Sequence, residues 1–231
     1  MRSSRWHAHG NIYLVLDGPA AGVDLSGTDG AVEVLAVHGD DVTIGIVNPD
    51  GSRAEMSGNG TRIAAAWLMN RTGSTQARVH AGAKAVEVRQ TEDGLYESEL
   101  GPVEVGAPEH VDGIELIPVS VGNPHAVVLG DPGLISELGP RLEGHARFPE
   151  RTNVQLVRVE RPGEVTARVW ERGVGETSAS GTSAVAVAAA THQDGDVVVH
   201  FPGGDLRVRL AGGRAWLTGP AEPIDELPDS S

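Results

Sequence analysis

The chain has no cysteine among its 231 residues. That excludes disulfides, thiolate metal sites and a thiol nucleophile, and it leaves the redox compartment unmarked. Basic residues are also in the minority, 18 Lys and Arg against 32 Asp and Glu, for a formal net charge of -14. Broad contact with nucleic-acid phosphates or anionic lipid needs a basic surface, so neither partner is expected. No apolar run approaches the ~18 to 20 residues of a membrane span, and Met1 to Gly10 has no hydrophobic stretch of signal-peptide type, so the expected location is cytoplasmic. The nine histidines are scattered, His7 with His9 being the only close pair, and no H-E-x-x-H occurs. A metal site is therefore not expected.

What is present is globular in character, with 39 % hydrophobic and 22 % charged residues. The length suits one large or two modest domains, and an internal repeat argues for two. Residues 42 to 68 read V-T-I-G-I-V-N-P-D-G-S-R-A-E-M-S-G-N-G-T-R-I-A-A-A-W-L, and residues 165 to 190 read V-T-A-R-V-W-E-R-G-V-G-E-T-S-A-S-G-T-S-A-V-A-V-A-A-A. Each is an alternating strand, a glycine-bearing turn and a small apolar helix. One offset places Val42-Thr43 on Val165-Thr166, Asn48 on Glu171 and Ser57 on Ser180. With slight drift, Gly10-Asn11 matches Gly122-Asn123, Val79-His80 matches Val199-His200, and Gly101-Pro102 matches Gly219-Pro220.

Each half thus predicts strands, one Ala-rich helix (Gly60 to Met69; Thr182 to Ala190), and hairpins at Glu92-Asp93-Gly94 and Gly212-Gly213. The helices lack a polar face, which implies enclosure by a curved, mostly antiparallel sheet. The expected fold is α/β (α+β): two similar lobes, 1–112 and 113–214, joined near Pro108 to Gly113, with a cleft between them.

A helix N-terminus after a Gly-rich turn presents backbone N–H groups and partial positive charge to an anion. If the lobes face one another, Ser57 and Ser180 flank a bound carbon from opposite sides, the geometry for removing a proton from one face and delivering one to the other. The plainer reading makes both serines N-caps, each stabilising its helix by roughly 1 kcal/mol. Both lobes set a carboxylate ahead of the serine, Glu55 in one and Glu176 in the other.

The stretch N-P-D-G-S-R-A-E-M-S-G-N-G-T-R resembles the N-x-D-G-S-x-x-E-M-C-G-N-G-x-R signature of the diaminopimelate epimerase family, and E-R-G-V-G-E-T-S-A-S-G-T-S is similar to its E-R-G-x-G-E-T-x-A-C-G-T-G. The likeness extends to H-A-H-G-N-I-Y-L-V-L-D, V-G-N-P-H-A-V, F-P-E-R-T-N-V-Q and A-W-L-T-G-P-A-E. It implies two pseudo-symmetric lobes, with 215–231 returning to the first, and a cofactor-independent, pyridoxal-free isomerase acting on a small amino acid, by two-base epimerisation of LL- to meso-diaminopimelate for lysine and peptidoglycan synthesis. Ser57 and Ser180 would occupy the two acid/base positions. Asn11, Asn48, Asn123, Asn153, Glu171 and Arg172 would bind substrate, and the backbone of Gly58-Asn59 and Gly181-Thr182 would hold its α-carboxylate. His125 either orients a neighbour of the base or is a satisfied buried histidine. Glu171 either touches the ligand or acts on the base, and Arg172 either grips a carboxylate or forms a surface pair with Glu171 or Glu176.

The sequence departs from the family pattern at both catalytic positions, which are serine rather than cysteine. A thiol ionises near pH ~8.5 and an alcohol nearer the ~15.7 of water, so the base costs on the order of 10 kcal/mol more to form. Helix dipoles worth roughly 1 to 2 kcal/mol cannot offset that. A serine pair needs a further base or turns over slowly. A lineage using serines, a relative with changed chemistry and a chain with both cysteines replaced all remain open. The 17–29 segment is also short for the family, with only Gly27-Thr28-Asp29-Gly30 similar to it. Proline racemases and phenazine-biosynthesis isomerases share the implied fold and remain alternatives, as does a binding protein without turnover. A dinucleotide site at Gly173-x-Gly175 is disfavoured because Ser178 replaces the third glycine. A homodimer is the default expectation.

Overall fold

The sequence repeat reappears as two sets of strand pairings with the same connectivity and register. The computed structural model describes residues 2–54, 57–82 and 84–226. It divides into two compact units, Met1–Glu99 with Thr218–Ser231, and Leu100–Leu217.

In the first unit, β1 (Ser3–Ala8) turns at His9-Gly10, both at positive φ, into antiparallel β2 (Asn11–Asp17). β2 runs parallel to β3 (Gly30–His38), which is antiparallel to β4 (Asp41–Val47), itself paired with the short β5 (Arg53–Ala54). Helix α1 (Gly58–Thr72) follows and ends on Gly73, whose left-handed conformation lets its N–H reach the Met69 carbonyl. β6 (Gln76–Ala81) then lies parallel to β4, with Val42 opposite Val79 and Thr43 opposite His80. β7 (Lys84–Gln90) and β8 (Tyr96–Pro102) complete a meander around Gly94, and β8 carries the chain over the first division.

The second unit opens with β9 (Glu104–Val105) and β10 (Glu109–Val111), which both pair with β11 (Ile114–Ser120). Those pairings hold residues 104–111 to this unit; the sequence reading divided the chain at 112/113. β12 (Pro124–Leu129) is antiparallel to β11, and helix α2 (Ile135–Glu143) leads to β13 (Asn153–Arg161), parallel to β12. β14 (Glu164–Glu171), β15 (Gly175–Thr177) and helix α3 (Gly181–Thr191) follow. β16 (Gly195–Phe201) is parallel to β14, with Val165 opposite Val199 and Thr166 opposite His200, the register the repeat required. β17 (Gly204–Ala211) and β18 (Arg214–Gly219) flank Gly212-Gly213, both at positive φ, before β19 (Glu222–Glu226) returns to pair with β1.

Each unit wraps its strands around one helix. In α1 every residue from Gly60 to Met69 is buried, and the helix packs on β1, β2, β3, β4, β6 and β7. In α3 Gly181 and Ser183 to Ala188 are buried, with Val185 and Val187 fully enclosed among the valines of β12 to β16. Removing such a side chain from water stabilises by about 1.5 to 3 kcal/mol. Both helices run slightly longer than the sequence suggested. Helix α2 was not anticipated at all; its Ile135, Leu138 and Leu142 form one apolar stripe over the core of β11 to β13. Gly139 on that stripe is sterically required, because a Cβ there would sit 2.7 Å from the Trp170 ring. Among the described residues no helix is long and apolar enough to cross a membrane.

Candidate active site

The strand–turn–helix pattern brings each serine to the start of its enclosed helix, yet the two serines are wired differently. Ser57 is the N-cap of α1 in extended backbone, and its Oγ accepts the Gly60 N–H at 3.1 Å, so the capping reading holds there. The Tyr13 hydroxyl lies 3.2 Å from the same Oγ. One turn on, Arg62 donates to the Asn59 Oδ1 at 2.6 Å and to the Gly58 carbonyl at 3.4 Å. This guanidinium is fully buried, and desolvation pushes it down to about 10. Gly58 and Asn59, expected to offer backbone N–H groups, are thus braced from below by an arginine. Glu55 lies outside the described residues.

Ser180 has the same extended conformation at the start of α3, but its side chain makes no cap. It donates instead to Glu171 Oε2 at 3.1 Å, while Thr177 donates to Glu171 Oε1 at 2.6 Å. Burial raises the Glu171 carboxyl above its ordinary value, and those two hydroxyls only partly oppose the shift. A carboxylate so placed is a competent proton acceptor, and the hydroxyl it holds is the group at the helix start. Gly181 and Thr182 supply first-turn N–H groups that no helical carbonyl faces. Glu176 is taken up by Arg168, at 2.7 Å.

The remaining residues expected in the second unit fall into one connected network. Asn153, nearly buried, donates to the Pro124 carbonyl at 3.0 Å and accepts the Arg172 backbone N–H at 3.0 Å, tying the start of β12 to the turn after β14. His125 is fully buried between Asn123 Oδ1 at 3.0 Å and Gln155 Nε2 at 2.9 Å. Burial pushes its imidazole down to about 3, the Gln155 contact opposing and the Arg172 charge assisting. At neutral pH His125 is uncharged and positions Asn123. The Arg172 side chain is exposed and reaches the Glu150 carbonyl at 3.2 Å; among the described residues it forms no ion pair with Glu171 or Glu176.

In the first unit Asn48 donates to Ser52 Oγ at 2.9 Å and Asn11 to the Ala8 carbonyl at 3.4 Å. The short 17–29 segment borders a cavity of about 590 Å³ lined by Ala20, Leu25, Glu33, Asp50 and Arg53 among others. There the buried Glu33 accepts Arg53 at 2.7 and 3.2 Å and the Ala20 N–H at 2.7 Å.

Several supporting residues escaped the sequence reading. Glu143, also buried, accepts Gly173 N–H at 2.6 Å, the Trp170 indole at 2.8 Å and Arg151 at 2.6 Å, fixing the 171–175 turn. Burial opposes its charge, but those donors together hold its carboxyl below the ordinary value. Gln155 also donates to Ser183 on α3 at 3.0 Å. Its polar side chain in the apolar run N-V-Q-L-V was the available signal.

A sequence profile of the family "Diaminopimelate epimerase" matches residues 117–222. The diaminopimelate epimerase of Synechococcus elongatus is 33 % identical over 97 % of the chain and 96 % of its own length. That of Desulforudis audaxviator is 38 % identical over 86 % and 82 %. Among solved structures, a Bacillus anthracis phenazine biosynthesis protein of the PhzF family superposes with a TM-score of 0.74 at 13 % identity, covering 98 % of both chains. A hydroxyproline epimerase from Agrobacterium vitis does so with a TM-score of 0.67 at 16 % identity, over 97 % of this chain and 89 % of that one. These two show a shared fold.

Proposed function

Since the chain belongs to the diaminopimelate epimerase family, whose members are isomerases, we propose that it interconverts LL- and meso-diaminopimelate by proton transfer at Cα, with Ser57 and Ser180 at the two acid/base positions. The observation that carries this reading is the Ser180–Glu171–Thr177 cluster, a hydroxyl at a helix start held by a carboxylate whose proton affinity burial has raised. Glu171 supplies the further base that a serine requires. As Cα loses its proton, negative charge spreads into the substrate carboxylate, and the first-turn N–H groups of Gly181 and Thr182 stabilise it, as do those of Gly58 and Asn59.

Arg172 supports diaminopimelate over a one-carboxylate amino acid. Its guanidinium is exposed and, among the described residues, engages only a backbone carbonyl, which leaves its fork for a ligand's second carboxylate. Asn153 holds the Arg172 backbone, and His125 holds the Asn123 oxygen so that the Asn123 Nδ2 is oriented for a substrate carboxylate.

The serines favour a second reading, binding without turnover. Replacing both, Ser57→Cys with Ser180→Cys, separates the two. The thiol pair lowers the cost of forming a base, and general acid–base catalysis is worth about 10² to 10⁴ in rate, so the double variant gains epimerase activity of that order. A double variant that binds diaminopimelate yet stays inert supports the binding reading.

A further inference from the structure

Superposing the halves by their repeat exposes an asymmetry. Glu171, which holds Ser180, has Asn48 as its counterpart, a neutral amide occupied with Ser52. The first unit therefore has no carboxylate in the matching place. The Gly10-Asn11 and Gly122-Asn123 match, carried two residues further, sets Tyr13 against His125. His125 is locked between two amides, whereas the Tyr13 hydroxyl is 3.2 Å from Ser57 Oγ.

The surroundings of Tyr13 are built for this contact. Its ring is buried, and it lies in register with Gly30 on β3, where a Cβ would meet the ring at 3.2 Å and the Val47 carbonyl at 2.6 Å. Beneath the helix start sits Arg62, fully buried, its Nε without a partner and its other nitrogens on Asn59 and Gly58. Among the described residues no carboxylate pairs with it, and the Tyr13 phenol is an ionisable group whose charge bears on it. A buried cation lacking a carboxylate stabilises whatever anion forms beside it.

We infer that Tyr13 is the positioning and proton-relay residue for Ser57, with Arg62 stabilising the phenolate, so that the two halves move protons with unlike groups, a phenol in one and a carboxylate in the other. This rests on the epimerase reading above. When the substrate Cα–H bond breaks on this face, its proton passes to Ser57 Oγ as Ser57's own hydroxyl proton passes to the phenolate oxygen. The C–H electron pair stays on the substrate, and in the opposite reaction direction the reverse transfers deliver a proton to Cα on this face. A free phenol ionises about six pH units below an alcohol, so at a given pH the fraction present as base is roughly 10⁶ larger.

The chain has no cysteine and two tyrosines, which makes a substrate-free test available. In the Ser57→Cys variant the only thiol is the reporter, and its alkylation by iodoacetamide against pH reads the thiolate fraction. Adding Tyr13→Phe removes the hydrogen bond and keeps the ring, so alkylation at pH 7 slows at least threefold and the profile moves to higher pH. Incorporating 3-fluorotyrosine at position 13, in a Tyr96→Phe background, gives a more acidic phenol and moves the profile to lower pH. A parallel Ser180→Cys reporter is unaffected by Tyr13→Phe. Profiles of the Ser57→Cys reporter that neither change moves overturn the relay. α-Hydrogen exchange is followed separately on the unmodified chain, where Tyr13→Phe lowers the rate at least tenfold. A shifted alkylation profile with no exchange on diaminopimelate refutes the function and leaves the relay standing; exchange with an unshifted profile does the reverse.

Discussion

The imidazole of His125 makes the second unit acid-sensitive by an amount that follows from its surroundings. Its two nitrogens are spent on Asn123 and Gln155, its ring is buried, and its pKa falls from 6.5 to about 3. In the unfolded chain the same histidine takes up a proton near pH ~6.5. Between those values the unfolded state holds more protons than the folded one, so stability rises with pH and is lost as pH falls from about 6.5 towards 3. The full shift corresponds to about 5 kcal/mol, a large share of a domain's usual ~5 to 15 kcal/mol. From pH 7 to pH 4.5, above the range where the depressed carboxyls of Glu33 and Glu143 take up protons, the loss amounts to about 2.5 kcal/mol. His125→Gln removes the titration and carries its own packing cost, which does not vary with pH. Urea unfolding of both proteins by near-ultraviolet circular dichroism should show the stability difference shrinking by about 2.5 kcal/mol over that interval. A difference that stays constant between pH 7 and 4.5 would refute the buried, neutral assignment.

Gly30→Ala drives a Cβ into the Val47 carbonyl and against the Tyr13 ring at a φ of 146°; the expected loss is about 2 to 4 kcal/mol in chemical denaturation, together with slower proton exchange. Glu143→Gln withdraws the charge that holds Gly173, Trp170 and Arg151. We expect about 1 to 3 kcal/mol of destabilisation and weaker diaminopimelate binding, measured by calorimetry, because the 171–175 turn loosens. Arg172→Lys keeps the charge and loses the fork, so affinity for diaminopimelate should fall about tenfold while thermal stability stays within a degree or two, since the side chain is exposed.

Much of this was legible in the sequence because it was written twice. The paired Val-Thr and Val-His dipeptides mark equivalent strands in the two halves, and in each half the structure sets them opposite one another. The all-apolar runs I-A-A-A-W-L and A-V-A-V-A-A-A forecast enclosed helices because burial on every side leaves no room for a polar face. Helix α2 is not evident in the sequence although its Ile135, Leu138 and Leu142 have helical spacing, because Gly139 and Pro140, both poor helix formers, interrupt that pattern. The serines stand out by their glycine-rich surroundings and Glu171 by its place in the second motif, but Tyr13 does not. Tyr13 reaches Ser57 across 44 positions and Glu143 reaches Gly173 across 30, and local pattern carries no information about such contacts. Likewise the sequence leaves His125 either orienting a neighbour of the base or satisfied in the core, because its contact with Gln155 on the neighbouring strand is equally remote in sequence.

The most direct measurement is loss of the α-hydrogen signal by proton nuclear magnetic resonance when the unmodified chain is incubated in heavy water with LL- or meso-diaminopimelate. The account predicts exchange with both stereoisomers, accompanied by their interconversion. Exchange confined to proline, hydroxyproline or another amino acid, with diaminopimelate left untouched, would contradict it.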